Sequence, residues 1–167
     1  MDLKKITNSA LIFILTRLIE IIGFIIVIIG ILLLIALISY SPTDPNFIFP
    51  ENTKIKNILG FQGSYTSDLF FQSIGLISYL IPFTLFFTGV SIFKKKKILI
   101  IIENIFYIIS YCIAGSLFFN FFYDNSFYLY INGNGGFVGN YLNQAFITKL
   151  ISSNEAISYY GLASSII

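Results

Sequence analysis

The chain has 167 residues, 56% hydrophobic and only 11% charged, with a formal net charge of +2. Soluble domains usually carry about 25% charged residues, so this chain has too little polar surface to cover itself in water and reads as a membrane protein. It has no histidine and a single cysteine, Cys112, inside an apolar run. That excludes a disulfide framework and a His/Cys metal cluster, and the basic residues cluster instead of forming a stripe that could track nucleic acid.

A polar leader with Lys4 and Lys5 precedes an apolar run from Ala10 to Ser39, broken only by Thr16, Arg17 and Glu20. The run is far longer than the apolar core of a cleavable signal, about 7–15 residues. A helix of that length exceeds a hydrocarbon core of about 30 Å. The expected solution keeps Arg17 and Glu20, three apart on one helix face, at the cytoplasmic interface and buries residues 21–39 as the first span. Tyr40 then falls where an interfacial aromatic would, and Ser41-Pro42-Thr43-Asp44-Pro45 ends the helix. A polar loop with Pro50, Glu51 and Asn52 follows, up to about Lys56.

The next segment opens with Gly60-Phe61-Gln62-Gly63-Ser64-Tyr65 and is expected to run as one helix through Phe93, spanning the membrane over about 69–93. Gly75, Ser78, Pro82 and Gly89 are spaced so that a continuous helix would put all four on one face, a surface for close helix packing, with Pro82 available as a kink. Lys94-Lys95-Lys96-Lys97 comes next. Four lysines inside a bilayer would cost roughly 10 kcal/mol or more, so the run must be a turn between two spans. The third span, about 98–120, carries Glu103, expected at headgroup level beside Lys96 or Lys97, and a small-residue packing pair, Ser110 and Ala114.

A polar loop ends in Asn132-Gly133-Asn134-Gly135-Gly136, followed by a short amphipathic helix. Its apolar side is Val138, Tyr141, Leu142, Ala145, Phe146 and Leu150, and at about a dozen residues it is expected to lie along the outer surface. Ser152-Ser153-Asn154-Glu155 breaks it, and a last apolar stretch runs from Ala156 to Ile167. Two stretches match: residues 60–65 and 136–141 share G-F-x-G-x-Y, and Ile77-Ser78-Tyr79 recurs as Ile157-Ser158-Tyr159. The fold expected is therefore an all-α membrane domain of four spans, a duplicated helical hairpin joined by the lysine turn, its outer-loop motifs marked by Gly60, Gly63, Gly136 and Gly139. Seven basic residues (Lys4, Lys5, Arg17 and Lys94 to Lys97) fall on one side and three (Lys54, Lys56 and Lys149) on the other. The N-terminus and the turn are thus expected in the cytoplasm, with both glycine-bearing loops outside.

This arrangement resembles the N-terminal four-span membrane domain of FtsK-type bacterial DNA translocases. The resemblance rests on Ile38-Ser39-Tyr40-Ser41-Pro42-Thr43-Asp44-Pro45, on Asn57-Ile58-Leu59-Gly60 with Gly63, and on Asp68-Leu69-Phe70, Gly75 and Tyr79-Leu80-Ile81-Pro82. It continues through the basic turn to Gly135-Gly136 with Gly139, and so covers nearly the whole chain. It implies a non-catalytic anchor, residues 1–167, at the septum of the bacterial inner membrane. Its partners would be the lipid bilayer, further copies of itself and other division proteins, with no direct nucleic-acid binding and no cofactor. A hexameric ATPase motor would lie on a separate domain, since no P-loop motif occurs here.

The alternative is a small polytopic transporter or channel subunit, which paired charges or a broken mid-membrane helix would favour. A membrane enzyme lacks an acid/base pair to work with. The final apolar run has about 12 residues against about 20 needed to cross, so the fourth span is expected to be truncated and the natural protein to continue.

Overall fold

The computed structural model describes residues 3–45, 54–123, 129, 131–144 and 155–167. Pro50, Glu51, Asn52, Ser152 to Asn154 and the far half of the outer amphipathic helix, Ala145 to Leu150, lie outside these residues. Among the described residues every regular element is helical: α1 (Leu3–Ile38), α2 (Gly60–Ile74), a 3-10 segment (Gly75–Tyr79), α3 (Leu80–Lys95), α4 (Ile100–Phe122), α5 (Gly136–Asn143) and α6 (Glu155–Ser164). Three stretches are long and apolar enough to cross a membrane: Leu11–Ile38, Gly60–Lys95 and Ile100–Phe122. Large apolar side chains such as Phe24, Ile25, Ile28 and Ile29 point outward along α1. That is the surface a helix presents to lipid and not to water.

The continuous helix expected from Gly60 to Phe93 is divided. Gly75 adopts φ 71°, ψ −149°, a conformation open essentially only to glycine. The chain tightens there into the 3-10 segment, and the Ser78 hydroxyl donates to the carbonyl of Phe70 at 3.0 Å and to that of Gly75. The break frees the backbone N–H of Leu76, which donates instead to the Asn134 carbonyl at 2.9 Å. A backbone donor left unpaired in an apolar setting costs several kcal/mol, so the loop between α4 and α5 completes this candidate span. Pro82 is not the bend; it sits in the first turn of α3, where a missing N–H is tolerated.

α1 and α3 run antiparallel and form the closest helix pair. Gly23 faces Gly89, and seven residues on along α1 and seven back along α3, Gly30 faces Pro82. A Cβ on Gly23 would lie 2.9 Å from the Gly89 carbonyl oxygen, and one on Gly30 would lie 3.0 Å from that of Pro82. Seven residues are about two turns, so each helix offers a single stripe of contact. α4 packs across the break with Gly115 under Ile77, and the Ser116 hydroxyl donates to the Ile74 carbonyl at 2.9 Å. The close contact on α4 is thus one face over from the expected pair: Ser110 is exposed and, among the described residues, bonds within its own helix, to Phe106. Two further bonds tie α4 to α3, Asn104 Nδ2 to Thr88 Oγ1 at 2.7 Å and Thr84 Oγ1 with the Tyr111 hydroxyl at 3.1 Å. Leu33, Leu37, Tyr40, Phe71, Ile77, Ile81, Tyr111 and Cys112 form the core around the break.

α5 docks on α4 by glycine. Cβ atoms on Gly135 and Gly139 would each come within 2.5 Å of the Ser116 carbonyl. On the side read as apolar, Tyr141 is 66% exposed and Val138 and Leu142 are half-buried. α6 meets the end of α4 through Tyr159, whose ring centroid lies 5.1 Å from that of Phe118 and 5.0 Å from that of Phe122.

Candidate functional site

The polar chemistry of the bundle gathers at its two ends. At one end α3 closes on Lys96, whose backbone N–H reaches back to the Ile92 carbonyl at 2.7 Å. Lys96 takes φ 56°, a left-handed cap usually given to glycine. Its ammonium meets Glu20 Oε1 at 2.9 Å, while Glu20 Oε2 accepts from Arg17. Glu20 therefore binds two cations from two helices, where the sequence alone pointed only to the pair within α1. Lys94, Lys95 and Lys97 are exposed and enter no ion pair among the described residues. Glu103, expected beside Lys96 or Lys97, is exposed on α4 and likewise enters none.

At the other end the segment Ser39–Pro45 folds back over α1 as a clasp. The buried Asp44 carboxylate accepts the backbone N–H groups of Lys56, at 3.0 Å, and Asn57, at 2.8 Å. Asn57, also buried, donates through Nδ2 to the Ala36 carbonyl at 2.9 Å and accepts from Leu59 N–H at 3.1 Å. One side chain thus caps the last turn of α1 and opens the approach to α2, filling acceptors and donors that helix ends leave vacant. The Ser64 hydroxyl donates to the Pro45 carbonyl at 2.7 Å, and Ile58 N–H to Ser39 Oγ at 3.2 Å. Tyr40, expected at the position of an interfacial aromatic, is turned into the protein. It is 6% exposed, packs on Phe71 at 4.8 Å, and donates its hydroxyl to the buried Asp68 at 3.3 Å.

The two G-F-x-G-x-Y stretches build the same local device. Gly60 and Gly136 both start a helix with positive φ, 66° and 65°. Three residues on, Gly63 and Gly139 are buried where a Cβ would strike a neighbour. Phe61 with Tyr65, and Phe137 with Tyr141, then sit side by side, ring centroids 6.2 and 6.1 Å apart. The second correspondence does not carry over, because Ile77 and Ser78 are buried in the 3-10 segment while Ile157 is 70% exposed on α6.

The four small residues expected on one face therefore serve two contacts. Pro82 and Gly89 face α1. Gly75 meets the backbone of Asn134, Gly135 and Gly136, with Ser78 bracing the break beside it. Gly23 and Gly30 were legible as glycines seven apart, and Asp44 and Asn57 as polar residues flanking a helix end, but none announced its partner. The arrangement is made of caps, close backbone contacts and one ion-pair corner, chemistry that fixes helices in register.

Residues 16–158 match the family described as the 4TM region of DNA translocase FtsK/SpoIIIE. Among curated proteins the chain is similar to DNA translocase FtsK of Rickettsia typhi, 39% identical over 67 residues, which are 40% of this chain and 9% of that protein. It is also similar to DNA translocase FtsK of Azospirillum brasilense, 30% identical over 88 residues, 52% of this chain and 14% of that protein. An uncharacterized protein of Haemophilus influenzae is 31% identical over 71 residues, 41% of this chain and 65% of that protein. The matches to the translocases thus span only about a tenth of their length. No solved structure matches the chain at a significant level.

Proposed function

Because the chain belongs to the family of the 4TM region of DNA translocase FtsK/SpoIIIE, a multi-pass region of the bacterial inner membrane, we propose that it is the anchor and septal assembly domain of a translocase acting in cell division and chromosome segregation. One observation carries the anchoring geometry: the ion-pair corner and the polar clasp are one bilayer apart. From Glu20 to Ser39 is nineteen residues, about 29 Å of helix, against a hydrocarbon core of about 30 Å. The charged corner and the lysine turn lie in the cytoplasmic interface, and the clasp and both glycine devices lie in the outer one. The Phe61–Tyr65 and Phe137–Tyr141 pairs, standing outward, supply the aromatic belt of that outer face.

α6 begins the fourth crossing. Its Tyr159 stands at the outer end of α4, and Ser165 to Ile167 share a cavity of about 480 Å³ with Tyr107 and Ser110, lower on the same helix. Self-association and contacts with other division proteins would use the outer devices and the apolar flanks. The transporter reading gains something from the broken second span. The break, however, lies beside Leu37, near the outer end of α1, and its free N–H is taken by Asn134. The polar groups between α3 and α4 likewise bond one another.

A fluorescent protein fused after Ile167 and expressed in dividing bacteria tests the assignment. Enrichment at mid-cell is expected. Even labelling of the whole envelope would remove the septal role, and soluble fluorescence would remove the anchor.

A further inference from the structure

We infer that the corner between α1 and the end of α3 is a binding site for an anionic phospholipid, and that Glu20 competes with the lipid phosphate for its cations. The inference rests on the reading that this end lies in the bilayer interface. Arg17, Glu20, Ile21, Phe24 and Phe93 line a cavity of about 280 Å³ beside the ion pair. Its lining is apolar at Ile21, Phe24 and Phe93 and charged at Arg17 and Glu20. Such a lining offers an acyl chain an apolar wall and a phosphate a guanidinium. Lys94, Lys95 and Lys97, which follow Phe93 in the chain, are exposed and enter no ion pair among the described residues, and the Arg17 side chain is 58% exposed. Basic clusters beside a membrane helix, and basic pockets between helices at the same level, attract anionic headgroups.

Glu20 gives the site its particular character. It is the carboxylate that, among the described residues, pairs with this corner's cations, holding Arg17 and Lys96. A phosphate entering the site must share these cations with Glu20, so the carboxylate lowers the affinity that the five basic residues Arg17 and Lys94 to Lys97 would otherwise give. Removing it should strengthen lipid binding, the reverse of what loss of a ligand-contacting residue does.

Native mass spectrometry of the detergent-solubilised protein, with added phosphatidylglycerol or phosphatidylcholine of the same acyl chains, reads the number of retained lipids. Phosphatidylglycerol should be preferred. Changing Lys94, Lys95 and Lys97 together to Gln should lower that preference by about fivefold per lysine. Lys54→Gln with Lys56→Gln, at the opposite end, should leave it unchanged, and Glu20→Gln should raise it severalfold. Equal binding of the two lipids, or an equal loss from both sets of lysine changes, would overturn the site. An unchanged or lower preference in Glu20→Gln would overturn the competition. Displacement by excess inorganic phosphate would reveal a phosphate site and overturn the lipid assignment. A depth-sensitive fluorophore at Lys97→Cys separates this inference from its premise. An aqueous reading removes the interface placement itself, whereas an interfacial reading with no lipid preference overturns only the inference.

Discussion

Gly89→Leu is expected to unseat α3 from α1. A Cβ alone would come 2.5 Å from the Gly23 carbonyl oxygen and 2.6 Å from Val27 Cγ2, so the backbones must part before a leucine fits. Overpacking of this kind costs about 1–3 kcal/mol when neighbours can yield, and carbonyl oxygens on a helix yield least. The loss should reach about 3 kcal/mol and lower the thermal midpoint of the detergent-solubilised protein. Phe86→Ala is the comparison. Phe86 is 37% exposed on the same helix, and trimming it should be milder. Equal losses from the two changes would mean that the glycine contact does not hold the pair.

Gly75→Ala should do comparable damage for two reasons that add. The φ of 71° with ψ −149° is strained for any side chain, by about 1–3 kcal/mol. The new methyl would also collide with the Asn134 and Gly135 backbone, which closes the break. The loop between α4 and α5 should then lift away, and Leu76 N–H, bonded to the Asn134 carbonyl, should lose its protection in hydrogen exchange. Gly60→Ala separates the two causes. Gly60 has φ 66° but nothing within 4 Å of a Cβ, so its alanine should cost the backbone strain alone. Matching losses at both positions, with Leu76 still protected, would show that the loop is not seated on Gly75.

Much of the fold was legible because membrane chemistry leaves so few solutions. An apolar run, four lysines and another apolar run admit only two spans and a turn. The G-F-x-G-x-Y repeat could be read as a shared device, since a glycine opening a helix has a conformational reason to be there. What stayed hidden needed a partner from elsewhere in the chain. Gly75 sits in a run that reads as helix throughout, and only the arrival of Asn134 makes a break there stable. Tyr40 read as interfacial because its own neighbours are a helix end and a proline turn. Its burial depends on Asp68 and Phe71, 28 and 31 residues further on. In the same way Glu20 finds Arg17 within its own helix, but Lys96 only after α3 has folded back.

The central claim is that Lys94–Lys97 and the Asp44–Asn57 clasp lie on opposite sides of one bilayer, the lysines inside. Single cysteines at Lys54, Lys95 and Gln144, each exposed, can be placed in a Cys112→Ser background and treated on intact spheroplasts with a membrane-impermeant thiol reagent. Lys54→Cys and Gln144→Cys should be labelled directly, and Lys95→Cys only after the membrane is opened. Labelling of Lys95→Cys from outside with the other two protected would invert the orientation, and labelling of Lys54→Cys and Lys95→Cys from the same side would contradict the crossing itself.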